Sequence, residues 1–194
     1  MKKIAVFASG SGSNFQAVID AVQSGRIEAV ICGLITNRDN AGAIKRAEAS
    51  GIPARVLNPS DFPDSSEYES TLLEQLKEWN PDLIVLAGYM LKIPDSLISA
   101  MPDQIINIHP ALLPAYGGKG FYGLRVHKAV LDAGESETGC SVHYVNERYD
   151  DGPVIDQQKV RVLSDDTPET LRDRVLKAEH QLLPSVIAKL LNKT

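Results

Sequence analysis

The chain alternates short apolar runs with longer segments in which apolar residues recur every three or four positions. The apolar runs predict β-strands at residues 3–8, 30–36, 54–57, 83–87 and 105–108. The segments between them predict helices at residues 15–24, 41–50, 67–79 and 96–101. Continuous apolar strands that alternate with helices are typical of a parallel sheet covered by helices on both faces.

The pattern changes after residue 115. The glycine-rich segment AYGGKGFYGLR predicts a loop, and a helix is expected at residues 126–133. Alternating residues in CSVHYV and VIDQQKVRV predict two strands in an antiparallel or mixed extension of the sheet. The remaining segment predicts a long C-terminal helix, with Thr167 as its cap and Pro168 in its first turn. Pro184 predicts a kink or a break in that helix.

These elements define an expected fold class. No segment has the composition of a linker, so residues 1–194 are expected to form one domain. The class is α/β, an open, doubly wound, mostly parallel sheet of Rossmann-like type with a mixed or antiparallel C-terminal extension and a C-terminal helix. A phosphate-binding half is expected at about residues 1–103 and a catalytic half at about 104–194.

Composition excludes several classes of function. The formal net charge of −5 and the pI of about 5.4 argue against a nucleic-acid-binding surface, which needs a basic excess. The sequence has no run of about 18 apolar residues, so no membrane-spanning helix is expected. The N-terminal apolar run is too short for a signal peptide. Cys32 and Cys140 lie far apart in strand-like runs, so reduced thiols and a cytoplasmic location are expected.

The segment FASGSGSN joins the first strand to the first helix. Backbone N–H groups at a helix N-terminus are unpaired and carry partial positive charge, so a phosphate is a natural ligand. The third glycine of a dinucleotide fingerprint would fall at Phe15, and no Walker A lysine follows, so a monophosphate fits better. Ser13 and Asn14 can add side-chain donors. The alternative is a simple strand-to-helix turn with a capping serine or asparagine.

Two polar residues interrupt the strand in QIINIHPALLP. Asn107 and His109 are two residues apart, so their side chains share one face, at the carboxyl end where parallel sheets bind ligands. Histidine can act as a general acid or base, and an asparagine amide can donate to a developing oxyanion. Asp150, in the sequence DDGP, is either a turn residue or a carboxylate that orients His109 and raises its pKa. The alternative for the pair is a hydrogen-bonded strand end.

Five motifs occur in order along nearly the whole chain: FASGSGSN, LAGYM, NIHPALLP, GCSVHYVNERYDDGPVI and RVLKAEHQLLP. Together they resemble the phosphoribosylglycinamide (GAR) formyltransferase family of de novo purine synthesis, which belongs to the folate-dependent formyltransferases. The resemblance implies transfer of the formyl group of 10-formyltetrahydrofolate to the glycinamide amine of GAR. It implies that Asn107 bonds the formyl oxygen, that His109 donates a proton, and that Asp150 keeps this histidine charged and oriented.

The resemblance also implies the binding residues. The GAR contacts are Gly12, Ser13 and Asn14 for the phosphate and Glu179 for the amine end. The folate site comprises Met90, Leu91, Lys92, Ile93, Asn107, Asn146, Glu147, Arg148, Tyr149 and Asp150. The two small molecules are the only partners implied, with no metal, no nucleic acid and no membrane, and with a monomer or weak homodimer as the oligomeric state.

Two features depart from the family pattern. Ser65 stands where members often carry an arginine that contacts folate. The glycine-rich loop at residues 116–125 is longer than the short form of the family loop, so a mobile flap is expected. Lys119 within it either reaches a phosphate or, as is more common for a loop lysine, stays solvated. His127, His143 and His180 receive no role, and a structural role is the default for His143.

Three alternatives remain open. Methionyl-tRNA formyltransferase usually has an added C-terminal domain and a basic character, whereas this chain is acidic. Formyltetrahydrofolate deformylase usually carries an N-terminal regulatory domain, whereas the first strand here begins at residue 3. A non-catalytic phospholigand-binding module would keep the glycine–serine loop but would not need Asn107, His109 and Asp150 together.

Overall fold

A computed structural model describes residues 1–192 of the chain. The strands are β1 (Lys2–Phe7), β2 (Ala29–Thr36), β3 (Ala54–Val56), β4 (Leu83–Leu86), β5 (Ile105–His109), β6 (Glu137–Tyr144) and β7 (Val154–Arg161). The helices are α1 (Ser13–Gln23), α2 (Gly42–Ala49), α3 (Ser65–Trp79), α4 (Asp95–Ala100), α5 (Leu124–Asp132) and α6 (Pro168–Leu191). A short 3-10 turn, Pro59–Asp61, precedes α3.

All seven strands form one sheet in the order β3-β2-β1-β4-β5-β6-β7. The first five strands are parallel, whereas β6 is antiparallel to β5 and β7 is antiparallel to β6. The strand order reverses its direction between β1 and β4, and open α/β sheets form their ligand crevice at such a switch point. The predicted mostly parallel sheet with an antiparallel C-terminal extension is confirmed.

Alternation along the strands separates two cores, one on each face of the sheet. In β1, Ile4 and Val6 join the cluster that includes residues of α1 and α6, while Ala5 and Phe7 join the cluster that includes residues of α3 and α4. In β5, Ile106 and Ile108 belong to the α1 and α6 side. The polar residues of β5 therefore point to the opposite face, as period-2 geometry predicts.

The start of α6 follows the sequence prediction, but its middle does not. Thr167 caps the helix by accepting a hydrogen bond from the Thr170 backbone N–H at 3.3 Å, and Pro168 occupies the first turn. Of the kink or break predicted at Pro184, the break is wrong, because α6 continues through this residue. Burial of Leu183 and Ile187 on either side of the proline holds the helix together despite one missing backbone donor.

Candidate active site

Ser9 ties together the loops that follow three parallel strands. Its hydroxyl donates to Oδ1 of Asn37 at 2.6 Å, beyond β2, and accepts from the Met90 backbone N–H at 2.9 Å, beyond β4. Its own backbone N–H donates to the Gly88 carbonyl at 3.0 Å. Ser9 is 1% exposed, so these contacts are shielded from water. Ser9 was not predicted to have a role, although its place at the start of the glycine–serine loop could have indicated that it contacts neighbouring loops.

A cavity of about 940 Å³ opens over this edge of the sheet. The predicted site residues that line it are Ser13, Asn14, Met90, Leu91, Lys92, Ile93, Asn107, His109, Asn146, Arg148, Tyr149, Asp150 and Glu179. Gly12 and Glu147 are not among the lining residues. The cavity therefore brings together nearly all the residues that the motifs singled out, from both halves of the chain. Their individual roles stay predictions.

Gly12 shapes the loop rather than the cavity wall. It is the N-cap residue of α1 with φ of 73°, a left-handed conformation that favours glycine. A Cβ atom at this position would lie 2.8 Å from Cα and Cβ of Ala43, so the loop can approach the start of α2 only without a side chain. This close approach positions Ser13 and the free N–H groups of α1 at the cavity.

Asn14 and Glu179 form a buried pair at the same end of the cavity. Nδ2 of Asn14 donates to Oε2 of Glu179 at 2.6 Å, and Glu179 is only 6% exposed. Burial raises the pKa of Glu179 to about 7, although the hydrogen bond from Asn14 opposes the rise. Oδ1 of Asn14 has no partner within residues 1–192. The Asn14 amide, which the sequence predicts to help bind a phosphate, therefore donates a hydrogen bond to Glu179 instead.

His109 is held between a carbonyl and a carboxylate at the other end of the cavity. Its Nε2–H donates to the Tyr116 carbonyl at 2.8 Å, and its Nδ1 lies 3.5 Å from Oδ2 of Asp150. Burial lowers the pKa of His109, and Asp150 and the Tyr116 carbonyl only partly oppose this. The net direction is the opposite of the sequence prediction, because burial of the ring outweighs the nearby carboxylate. Nδ1 is the ring nitrogen that remains for chemistry.

Asp150 contacts Asn107, His109 and His143. Its Oδ2 accepts from the Gly118 backbone N–H at 2.9 Å, and its Oδ1 accepts from Nδ2 of Asn107 at 3.4 Å and lies 3.6 Å from Nε2 of His143. Burial pushes the pKa of Asp150 upward, but the neighbouring imidazole rings of His143 and His109 and the Gly118 N–H together bring it below its usual value. Asp150 is therefore a carboxylate at neutral pH.

His143 fixes the amide of Asn107. Its Nδ1–H donates to the Tyr144 carbonyl at 2.8 Å, which leaves Nε2 as an acceptor for Nδ2 of Asn107 at 3.1 Å. The two residues are paired directly across β5 and β6. The sequence predicted only a structural role for His143 and did not predict this contact with Asn107. Only the register of the antiparallel strand pair could have revealed it.

The glycine-rich loop covers the cluster from above. The Tyr116 hydroxyl donates to Oε1 of Glu135 at 2.8 Å, which anchors the loop to the residues beyond α5. A side chain at Gly117 would lie 3.2 Å from Cβ of Asp150, so the loop backbone rests on the aspartate. Lys119 lines the cavity in the same loop, whereas Ser65 is not among the lining residues.

Within residues 1–192, no group of three or more histidine, cysteine, aspartate or glutamate side chains could hold a metal ion. Over the same part of the chain, no helix is long and apolar enough to cross a membrane.

The fold and the site together define a doubly wound α/β protein whose cavity combines a glycine–serine loop at a helix N-terminus with a His–Asn–Asp cluster capable of proton transfer. Residues 2–187 match the formyl transferase family, and the chain belongs to that family. Phosphoribosylglycinamide formyltransferase of Bacillus subtilis is 41% identical over 191 residues, which cover 98% of this chain and 95% of the relative. Glycinamide ribonucleotide transformylase 1 from Geobacillus kaustophilus superposes with a TM-score of 0.92 at 44% identity, covering 99% of this chain and 100% of that one.

Two plant relatives are longer than this chain. The chloroplastic phosphoribosylglycinamide formyltransferase of Arabidopsis thaliana is 44% identical over 191 residues, covering 96% of this chain and 64% of the relative. Its counterpart from Vigna unguiculata is 41% identical over 189 residues, covering 97% of this chain and 61% of the relative. The chain therefore spans somewhat less than two thirds of the plant proteins.

Proposed function

We propose that the protein transfers the formyl group of 10-formyltetrahydrofolate to the amine of GAR, giving N-formyl-GAR and tetrahydrofolate for purine synthesis. The observation that carries this proposal is one cavity that has polar and charged groups at both of its ends. An anion-binding loop and the buried Glu179 lie at one end, and the Asn107, His109 and Asp150 cluster lies at the other. The names of the relatives from Bacillus subtilis and Geobacillus kaustophilus support the same reaction.

The ribonucleotide would occupy the α1 end. Its phosphate would accept hydrogen bonds from the N–H groups at Gly12, Ser13 and Asn14, where the helix dipole favours an anion. Glu179 would hold the glycinamide amine end, with a side-chain oxygen accepting a hydrogen bond from this amine. The unpartnered Oδ1 of Asn14 offers a further acceptor beside it.

The folate would lie along the segments that follow β4 and β6. Met90, Leu91, Lys92 and Ile93 would form one wall, and the segment from Asn146 to Asp150, in which Glu147 does not line the cavity, would form the other, with main-chain groups holding the pterin. Met90 is 41% exposed and Tyr149 is 46% exposed, so both walls present apolar surface to a planar ring.

The cluster geometry supports acid catalysis of acyl transfer. The lone pair of the amine attacks the formyl carbon, and the carbonyl π electrons move to oxygen. A proton on Nδ1 of His109 passes to the developing oxyanion, while Asp150 at 3.5 Å stabilises the imidazolium that supplies it. Asn107 donates one amide hydrogen to His143, and its other amide hydrogen, which makes the long 3.4 Å contact with Asp150, would turn to the oxyanion. The carbonyl then re-forms and returns its hydroxyl proton to Nδ1 of His109. The carbon–nitrogen bond to folate breaks at the same time, and the leaving nitrogen takes the proton lost by the amine.

We further propose that residues 1–194 work as one domain in the cytoplasm, as a monomer or weak homodimer. The single seven-stranded sheet runs through both halves of the chain and supports the first point. Cys32 and Cys140 are free thiols, which supports a reducing compartment.

The deciding experiment mixes the purified protein with 10-formyltetrahydrofolate in the presence and absence of GAR. We expect folate turnover only with GAR, and a loss of about a hundred- to ten-thousandfold in kcat for Asn107→Ala and His109→Ala, with unchanged melting temperatures. Turnover without GAR would instead identify a deformylase. GAR binding without turnover in either mixture would identify a binding module, and near-normal turnover in both variants would refute the catalytic assignment.

A further inference from the structure

His127 is a buried histidine on the wall of the main cavity. It lies in the first turns of α5, is 2% exposed, and lines the same cavity as His109 and Glu179. Its Nδ1 is buried and has no hydrogen-bond partner among residues 1–192. Burial and the neighbouring charge of Arg172 lower the pKa of His127 to about 4, so the ring is neutral at physiological pH.

The surroundings of Nδ1 select one tautomer of this neutral ring. A buried N–H without an acceptor costs more than a buried lone pair without a donor, because orphaned donors are the rarer and less tolerated case. The proton therefore belongs on Nε2. Since Nδ1 is sealed from solvent while the ring lines the cavity, Nε2–H is the polar group of His127 that faces the cavity.

The position of α5 identifies the end of the cavity that this donor serves. Helix α5 packs against α6, and α6 packs in turn against α1, whose N-terminus carries the glycine–serine loop. Arg172, Leu176 and Glu179 of α6 line the cavity beside His127. The segments assigned to folate, after β4 and β6, follow other strands, so His127 belongs to the wall built by α1 and α6.

We propose that His127 is a binding residue for the amine substrate, with its Nε2–H donating to an uncharged oxygen of the ribonucleotide, either a ribose hydroxyl or the glycinamide carbonyl. This inference rests on the proposed function. The donor carries a fixed tautomer and no charge, so it adds directional recognition of the substrate without adding a second cation beside Arg172.

Three variants test the proposal, because amide side chains imitate one ring nitrogen each. The amide nitrogen of glutamine reaches the place of Nε2, whereas that of asparagine reaches the place of Nδ1. We expect His127→Leu and His127→Asn to raise KM for GAR about three- to tenfold, the range of one neutral hydrogen bond, and His127→Gln to restore it. KM for the folate should change less than twofold in all three. Lys128→Ala, on the exposed side of α5, is the matched control and should change neither constant.

Calorimetric titration of GAR into each protein, without folate, separates binding from turnover. The same order of affinities, with wild type and His127→Gln above His127→Leu and His127→Asn, is the expected result. If His127→Leu melts like wild type and binds GAR equally well, the proposal for His127 is wrong although the proposed function stands. A KM increase confined to folate would also overturn it. If wild type neither binds nor formylates GAR, the proposed function itself fails.

Discussion

Replacing Glu179 by glutamine is predicted to stabilise the free protein at alkaline pH. Glu179 is buried against the amide of Asn14, and burial raises its pKa from the usual 4.5 to about 7. Between these two values the folded protein keeps a proton that the unfolded chain has released. The free energy of unfolding therefore falls as the pH rises through this interval, and the loss is complete above pH 7.

The size of the effect follows from the pKa. At 1.36 kcal/mol per pH unit, a rise from 4.5 to about 7 corresponds to about 3 kcal/mol of lost stability. Glutamine has nearly the same shape, keeps an oxygen for the Asn14 amide and carries no charge. The free energy of unfolding gained by Glu179→Gln should therefore be about 2 to 3 kcal/mol larger at pH 8 than at pH 5.

Urea denaturation of both proteins at the two pH values measures this difference directly. Glu74→Gln, which changes an exposed carboxylate on α3, is the matched control and should show no pH-dependent gain. An equal gain at both pH values, or a loss at pH 8, would refute the reasoning, since it would mean that the Glu179 carboxylate is charged and fully compensated in the folded protein. The same variant should bind GAR more weakly, because the proposed acceptor for the amine is lost.

Two further predictions concern the catalytic cluster and the glycine–serine loop. Asp150→Asn is expected to lower kcat by up to about a thousandfold, since the pair with His109 at 3.5 Å is worth about 4 kcal/mol at most. The pH–rate profile should also move to lower pH as the pKa of His109 falls further, and an unmoved profile would count against the proton-donor role. Gly12→Ala is expected to cost about 1 to 3 kcal/mol in thermal unfolding, because of its positive φ and its contact with Ala43. Gly10→Ala, where a Cβ meets nothing within 4 Å, should cost less, and equal losses would contradict the steric argument.

The parallel half of the fold was predictable because its signals are local. Apolar strands that end at a glycine–serine loop, or at Pro110 after His109, mark their own boundaries. The ends of the five observed parallel strands differ from the predicted ends by no more than one residue. The shared face of Asn107 and His109 also followed from strand geometry alone. These features need no knowledge of which strand lies beside which.

The remaining parts of the site depend on pairing that the sequence does not state. His143 meets Asn107 only because β5 and β6 are antiparallel in one particular register. The net pKa direction of His109 depends on how deeply the ring is buried and on its contact with the Tyr116 carbonyl, seven residues away. Pro184 was expected to disturb its helix, yet the buried residues around it outweigh one missing hydrogen bond. In each case tertiary burial overrides a local rule.

The antiparallel extension is the part of the fold that builds the reactive end of the cavity. Residues paired across antiparallel strands share a face, so β6 sets His143 beside Asn107 and Ser141 beside His109. The Ser141 hydroxyl donates to the Ala111 carbonyl at 2.6 Å and accepts from the Leu113 N–H at 3.0 Å, which fixes the chain just after His109. The same segment continues to Tyr116, whose carbonyl accepts from Nε2–H of His109, so β6 helps to position this acceptor.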